Sequence, residues 1–141
     1  MQYPELDQKL QDGCYLLGSW ADTNILLSRN ACFPWFILVP NTKETEFYKL
    51  DLVKQHQLLE LINKLSAFVE KHFPVTKLNI ATIGNVVAQM HIHIVGRHQD
   101  DVCWPGVVWG ADHFKEYASG EVEGIRDDLE LNFAGDFIAA K

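Results

Sequence analysis

The sequence predicts an α+β domain: an antiparallel sheet of about five strands, one long helix packed on one face, and a helical tail at the C-terminus. Three observations predict it. Short apolar runs follow one another before residue 40, an amphipathic stretch spans 51–73, and two further apolar runs are divided only by Gly84-Asn85. Strands grouped on either side of a single helix, with no strand–helix alternation, favour an antiparallel sheet over a parallel one.

Residues 4–12, PELDQKLQD, suit a short helix with Pro4 near its start and Gly13 after its end. CYLLGSW (14–20), NILLS (24–28) and WFILV (35–39) follow as a three-strand meander, with turns at 21–23 and 29–34. Over 51–73, Leu58, Leu61, Ile62, Leu65, Phe68 and Val69 recur at steps of three and four, which puts them on one helical face. Asp51 is a suitable N-cap, His72 lies in the last turn where the helix dipole favours a cation, and Pro74 ends the helix. KLNIATI (77–83) and VVAQMHIHIV (86–95) then read as a tight hairpin, because a Gly-Asn pair tolerates positive φ. A helix is predicted near 122–132, and Phe137-Ile138 either docks or frays with the end of the chain. The division expected is a domain over 1–110 and an extension over 111–141 packed on that same domain.

A chain of 141 residues, 48% hydrophobic and 22% charged, holds one compact domain with a core of its own. No apolar run approaches the roughly 20 residues of a membrane helix, and the polar N-terminus is unlike a signal peptide, so no membrane partner is expected. Cys14, Cys32 and Cys103 are odd in number and widely spaced, which suits reduced thiols and a cytoplasmic location. The formal charge is −7, with no Lys/Arg cluster. Binding to polymeric nucleic acid draws on clustered cations, so that partner is not expected; a small anion held by local donors is.

The stretch QMHIHIV (89–95) carries the chemistry. Strand alternation sends Met90, Ile92 and Ile94 to one face and Gln89, His91 and His93 to the other, about 7 Å apart along the strand. Three readings compete: solvent-facing histidines, a metal site using His91 and His93, or nucleophilic catalysis by an imidazole. The metal reading has less support, since IVGRHQDD follows without a glutamate and its His98, Asp100 and Asp101, like Cys103, lie past Gly96. The nucleophile reading requires one ring nitrogen free and the other pinned.

The block GNVVAQMHIHIVGR resembles the signature of the histidine-triad (HIT) family of nucleotide hydrolases and transferases. WFILVP (35–40) and Trp104-Pro105-Gly106 resemble two further features of that family, as does the position of the long helix. The resemblance covers roughly residues 12–106. It departs at the first triad position, which is Gln89, and at Val86, where a hydroxyl residue is common. It implies a HIT-like fold and a covalent nucleotidyl intermediate on His91, with His93 binding a phosphoryl oxygen as imidazole or imidazolium and Gln89 on the leaving-group side. It also implies that Gly84 and Asn85 hold the α-phosphate and that Asn30 reaches the ribose, although a turn role for Asn30 serves equally. Arg97 is a candidate for a distal phosphate. The base would lie against Leu16, Ile25 or Leu27, positions that core packing claims first. Trp104 and Trp109 are packing residues by default, in a segment that often approaches the mouth of the site in this family. The expected ligand is a nucleotide or nucleotide conjugate, with a purine preferred, and a homodimer is the expected assembly. No cofactor and no metal are expected. A nucleotide-binding module without turnover is the alternative from another class.

Overall fold

The computed structural model describes residues 4–141; the first three residues of the domain predicted over 1–110 lie outside the described residues. Six antiparallel strands form one sheet, in the order β4 (Lys77–Ala81), β5 (Ile92–Arg97), β3 (Trp35–Pro40), β2 (Thr23–Ser28), β1 (Cys14–Trp20), β6 (Phe137–Ala139). Helix α1 (Gln8–Gly13) leads into β1 (Cys14–Trp20), β2 (Thr23–Ser28) and β3 (Trp35–Pro40), the meander expected from the three apolar runs. Helix α2 covers Leu52–His72, with the Asp51 carboxylate accepting the Lys54 backbone N–H at 2.8 Å. A short 3-10 turn, Phe47–Lys49, precedes it. Strands β4 (Lys77–Ala81) and β5 (Ile92–Arg97), helix α3 (Glu121–Phe133) and β6 (Phe137–Ala139) complete the chain.

Both faces of the sheet are covered. On one face, Leu58, Leu61, Leu65, Phe68 and Val69 of α2 pack over Ile25, Leu27, Phe36, Leu38, Ile92 and Ile94. Val122, Ile125, Leu129 and Phe133 of α3 join the same core, and β6 pairs with β1, so the C-terminal extension shares the sheet and its core. On the other face, Leu10 from α1 closes a smaller cluster with Cys14, Leu26, Ile37 and Val39, against which Val87 also packs. Burial pushes the Cys14 thiol up to about 11, against the attraction of Arg29. It is an inert packed side chain.

The expected tight hairpin at Gly84-Asn85 is corrected. Strands β4 and β5 do pair, with Ala81 opposite His93, but the connection between them runs through residues 82–91. Gly84 has the positive φ, +69°, that its position suggested. The chain nevertheless leaves the sheet before it, because Val87 finds apolar partners on the second face and not across a hairpin. Ordered strand therefore begins at Ile92, after the first histidine.

Candidate active site

His91 and His93 stand together at the floor of a cleft of about 860 Å³. Their ring centroids are 4.9 Å apart, with the planes at 66°. Met90, Ile92 and Ile94 are buried in the α2-facing core, so the predicted alternation holds from Met90 onward and sends both imidazoles to the opposite side. Each residue is 6% exposed, and both line the cleft.

The two rings are held differently. His91 Nδ1 lies 2.7 Å from the carbonyl oxygen of Gln89. His93 Nδ1 accepts the indole N–H of Trp35 at 2.9 Å. Trp109 closes over His93 from the segment after β5, with centroids 5.2 Å apart and planes at 80°. Burial, and then the neighbouring His91, lower the His93 pKa to about 4, so this imidazole is neutral at physiological pH.

The cleft walls come from four parts of the chain: Asp12 and Gly13 at the end of α1, residues 28–30 after β2, residues 83–87 of the β4–β5 connection, and residues 108–114. Gly84 and Asn85 line it, as the sequence suggests. Asn30 borders it too, with its amide already engaged: Nδ2 donates to the His113 carbonyl at 2.8 Å, and Oδ1 accepts the N–H groups of Cys32 and Lys115 at 3.1 and 3.3 Å. Arg29 is the one cationic residue of the lining among the described residues, against Asp12 and Asp112. Its guanidinium lies 4.1 Å from the centre of the Tyr15 ring. Among the described residues, no group of three or more His, Cys, Asp or Glu side chains is placed to hold a metal ion.

Two expectations are corrected here, for Gln89 and Arg97. Gln89 does not line the cleft. Once the chain enters the strand only at Ile92, the side chain at 89 is free to turn, and its amide holds the N-terminal segment: Oε1 accepts the Asp7 N–H at 2.8 Å and Nε2 donates to the Glu5 carbonyl at 3.3 Å. Arg97 does not reach the cleft either. It is 1% exposed and makes a two-pronged bond to Asp101 at 2.8 and 3.0 Å, with further bonds to Asn79 and the Gly106 carbonyl. Burial pushes the Asp101 carboxyl up, but the Arg97 guanidinium and the N–H groups of His98 and Cys103 hold it below the usual carboxylate range. Leu16, Ile25 and Leu27 are also outside the cleft: Ile25 and Leu27 are sealed in the α2-facing core.

Trp35 has a site role that its apolar run conceals, and Trp109, a packing residue by default in the segment expected near the mouth, lines the cleft as well. Trp35 opens β3, and the register pairs its neighbour Ile37 with His93, which places the indole on the histidine face. Its two-residue spacing from Ile37 carried that signal, hidden by the apolar run around it. Trp104, by contrast, stacks near the Arg97 guanidinium at 5.7 Å.

Comparison with known proteins agrees with this geometry. A family model described as "HIT domain" matches residues 14–100. A histidine triad protein from Bradyrhizobium japonicum superposes with a TM-score of 0.86 at 32% identity, covering 91% of this chain and 96% of that one. One from Marinobacter aquaeolei VT8 gives 0.85 at 32% identity, covering 91% and 94%. One from Sinorhizobium meliloti 1021 gives 0.86 at 29% identity, covering 91% and 96%. No curated protein matches the sequence. With the family model matched over residues 14–100 and the fold shared with these proteins, the chain belongs to the histidine-triad (HIT) family.

Proposed function

We propose that the chain is a nucleotide hydrolase or nucleotidyl transferase acting at the α-phosphate of a nucleotide conjugate. The observation that carries this reading is the 2.7 Å contact between His91 Nδ1 and the Gln89 carbonyl, at the floor of a cleft that has room for a nucleotide. A carbonyl oxygen only accepts, so Nδ1 carries the proton and Nε2 keeps a lone pair for attack.

In the first step His91 Nε2 attacks the α-phosphorus, an N–P bond forms, and the bond to the leaving group breaks with its electron pair. The imidazolium charge that develops is shared with the Gln89 carbonyl through Nδ1–H. In the second step water attacks phosphorus and releases a proton to solvent, the N–P bond breaks with its electron pair going to Nε2, and a nucleoside monophosphate departs with neutral His91 restored. Gly84 and Asn85 would hold non-bridging oxygens of the α-phosphate from the cleft wall. Asn30 would act at the ribose end, through its remaining amide hydrogen and through the segment it holds. A purine base is the expected occupant of the apolar wall that includes Val108 and Trp109.

The homodimer expectation has one supporting feature. Strand β4 is the outer strand of the sheet, and its Ile80 is 48% exposed. A second copy adding to that edge would cover it. Sedimentation of the chain with Ile80→Lys against the unaltered chain tests this.

The catalytic reading is tested by incubating the protein with an adenylylated amine and with a diadenosine polyphosphate, quenching in acid-free denaturant, and weighing the chain. A mass gain of one adenylyl group (AMP less water), mapped to His91 and absent from His91→Ala, is expected. Protein that binds AMP but neither gains that mass nor releases AMP from any conjugate would be a binding module.

A further inference from the structure

We infer that Trp35 is a positioning residue that fixes His93 in the tautomer opposite to that of His91, so that one imidazole is the nucleophile and the other a neutral hydrogen-bond donor. The assignment needs no sight of a hydrogen atom. An indole N–H can only donate, so the ring nitrogen it meets at 2.9 Å, His93 Nδ1, is unprotonated. A neutral imidazole with a bare Nδ1 carries its proton on Nε2. A carbonyl oxygen can only accept, so His91 Nδ1 is protonated and its Nε2 is bare. Two chemically identical side chains, 4.9 Å apart between centroids, are thereby assigned different work by the backbone carbonyl before one and the tryptophan beside the other.

The surroundings keep it so. His93 faces His91, Trp35 and Trp109, and the strands flanking it offer Ile37 and Ala81. No carboxylate is hydrogen-bonded to the ring among the described residues, so nothing pulls a second proton onto Nδ1. The carboxylates of the cleft, Asp12 and Asp112, belong to its walls, as does His113. The lowering of the His93 pKa to about 4 by burial and by His91 is consistent with that isolation. A donor that stays neutral presents an N–H to a phosphoryl oxygen without competing for the proton of the leaving group.

The tautomer assignment stands by itself, whereas its effect on turnover rests on the proposed nucleotidyl transfer. The test uses the full chain with 15N-labelled histidine, at neutral pH, with His93 assigned by its loss in His93→Gln. The His93 Nδ1 resonance is expected in the unprotonated range and His91 Nδ1 in the protonated range, with a scalar coupling across the Trp35 Nε1–His93 Nδ1 bond. Trp35→Phe should move the His93 resonances to those of exchanging tautomers. Trp109→Phe, which removes a ring from the same imidazole but no hydrogen bond, should leave the tautomer in place. With a conjugate that is turned over, Trp35→Phe should lower kcat about tenfold and leave KM within about twofold, since loss of the donor itself costs roughly 10²–10³. A protonated His93 Nδ1 in the unaltered chain, or a His93 tautomer untouched by Trp35→Phe, would overturn the inference even if AMP is transferred normally. The expected tautomers in a chain that never forms an adduct would sink the enzyme and leave the lock.

Discussion

The side-chain amide of Gln89 accepts the backbone N–H of Asp7 at 2.8 Å, across 82 residues of sequence. Where a third histidine would continue the alternating row, this chain has a clasp on its N-terminal segment. Asp7 is also the N-cap of α1, its carboxylate accepting the Lys9 N–H at 2.8 Å, and α1 ends at the cleft wall with Asp12 and Gly13.

Gln89→Ala should therefore loosen the approach to the site without removing a reacting group. Two hydrogen bonds to backbone are lost, each worth about 1 kcal/mol, so stability should fall by roughly 1–2 kcal/mol. Amide exchange over residues 7–13 should accelerate, and KM should rise more than kcat falls. Gln89→His should show the same loosening and an unchanged dependence of rate on leaving-group basicity. A changed dependence, with residues 7–13 still protected, would place position 89 against the leaving group after all.

Arg97 is a structural cation, and its removal should register in stability. Both it and Asp101 are 2% exposed at the side chain, and breaking such a pair leaves a buried charge without its partner. Arg97→Ala should cost about 3–5 kcal/mol in urea unfolding. Arg97→Lys should also destabilise, because an ammonium cannot reproduce the fork that meets Asp101, Asn79 and Gly106 together. Affinity for AMP, measured calorimetrically on protein that remains folded, should not change. Weakened AMP binding at undiminished stability would restore the phosphate role.

Asn30 ties the turn after β2 to the adjoining wall segment near residues 113–115, with Ala31 adding a backbone bond to the Lys115 carbonyl at 2.7 Å. Asn30→Asp keeps the acceptor for Cys32 and Lys115 but sets an oxygen against the His113 carbonyl in place of a donor. Faster exchange at residues 108–115 and an AMP affinity weaker by about tenfold are expected, equivalent to roughly one hydrogen bond. Unchanged exchange with weakened affinity would show that the amide contacts the ligand and not the wall.

What was legible in the sequence follows from what each signal depends on. The α2 face was readable because six apolar residues at helical spacing have no other arrangement that buries them, and all five sealed by the core were among those named. The alternation of Met90, Ile92 and Ile94 against the histidines was readable for the same reason. The path of residues 82–91 was not, because a Gly-Asn pair licenses a turn without excluding a wider excursion, and the partner that decided it, the cluster around Leu26 and Ile37, is distant in sequence. Arg97 and Gln89 look like ligands for charge until Asp101 and the Asp7 backbone are seen beside them. Strand β6 was left open because three residues carry little periodicity; its docking depends on Gly18, where a Cβ would meet the Ile138 carbonyl at 2.3 Å.

The lowered pKa of His93 makes a stability prediction whose sign is fixed. In the unfolded chain the ring titrates near 6.5, and in the folded protein near 4, chiefly because burial disfavours the charged form and also because His91 is adjacent. Between those values the unfolded chain binds a proton that the folded one does not, so stability rises with pH across that window. The contribution is complete above about pH 6.5, declines as the pH falls, and is gone at about pH 4, for a total on the order of 3 kcal/mol. Asp101 acts in a different window: its carboxyl is held below the usual range, so its contribution is present above that range and is lost only at still lower pH. Urea unfolding at intervals from pH 7 to pH 4 should thus show a slope approaching 1.4 kcal/mol per pH unit from this ring. His93→Gln should remove that slope and keep the loss at lower pH that Asp101 contributes. Parallel curves for the two proteins between pH 6.5 and pH 4 would mean that His93 takes up its proton in the folded state as readily as in the unfolded one, and the neutral donor at the floor of the cleft would have to be given up.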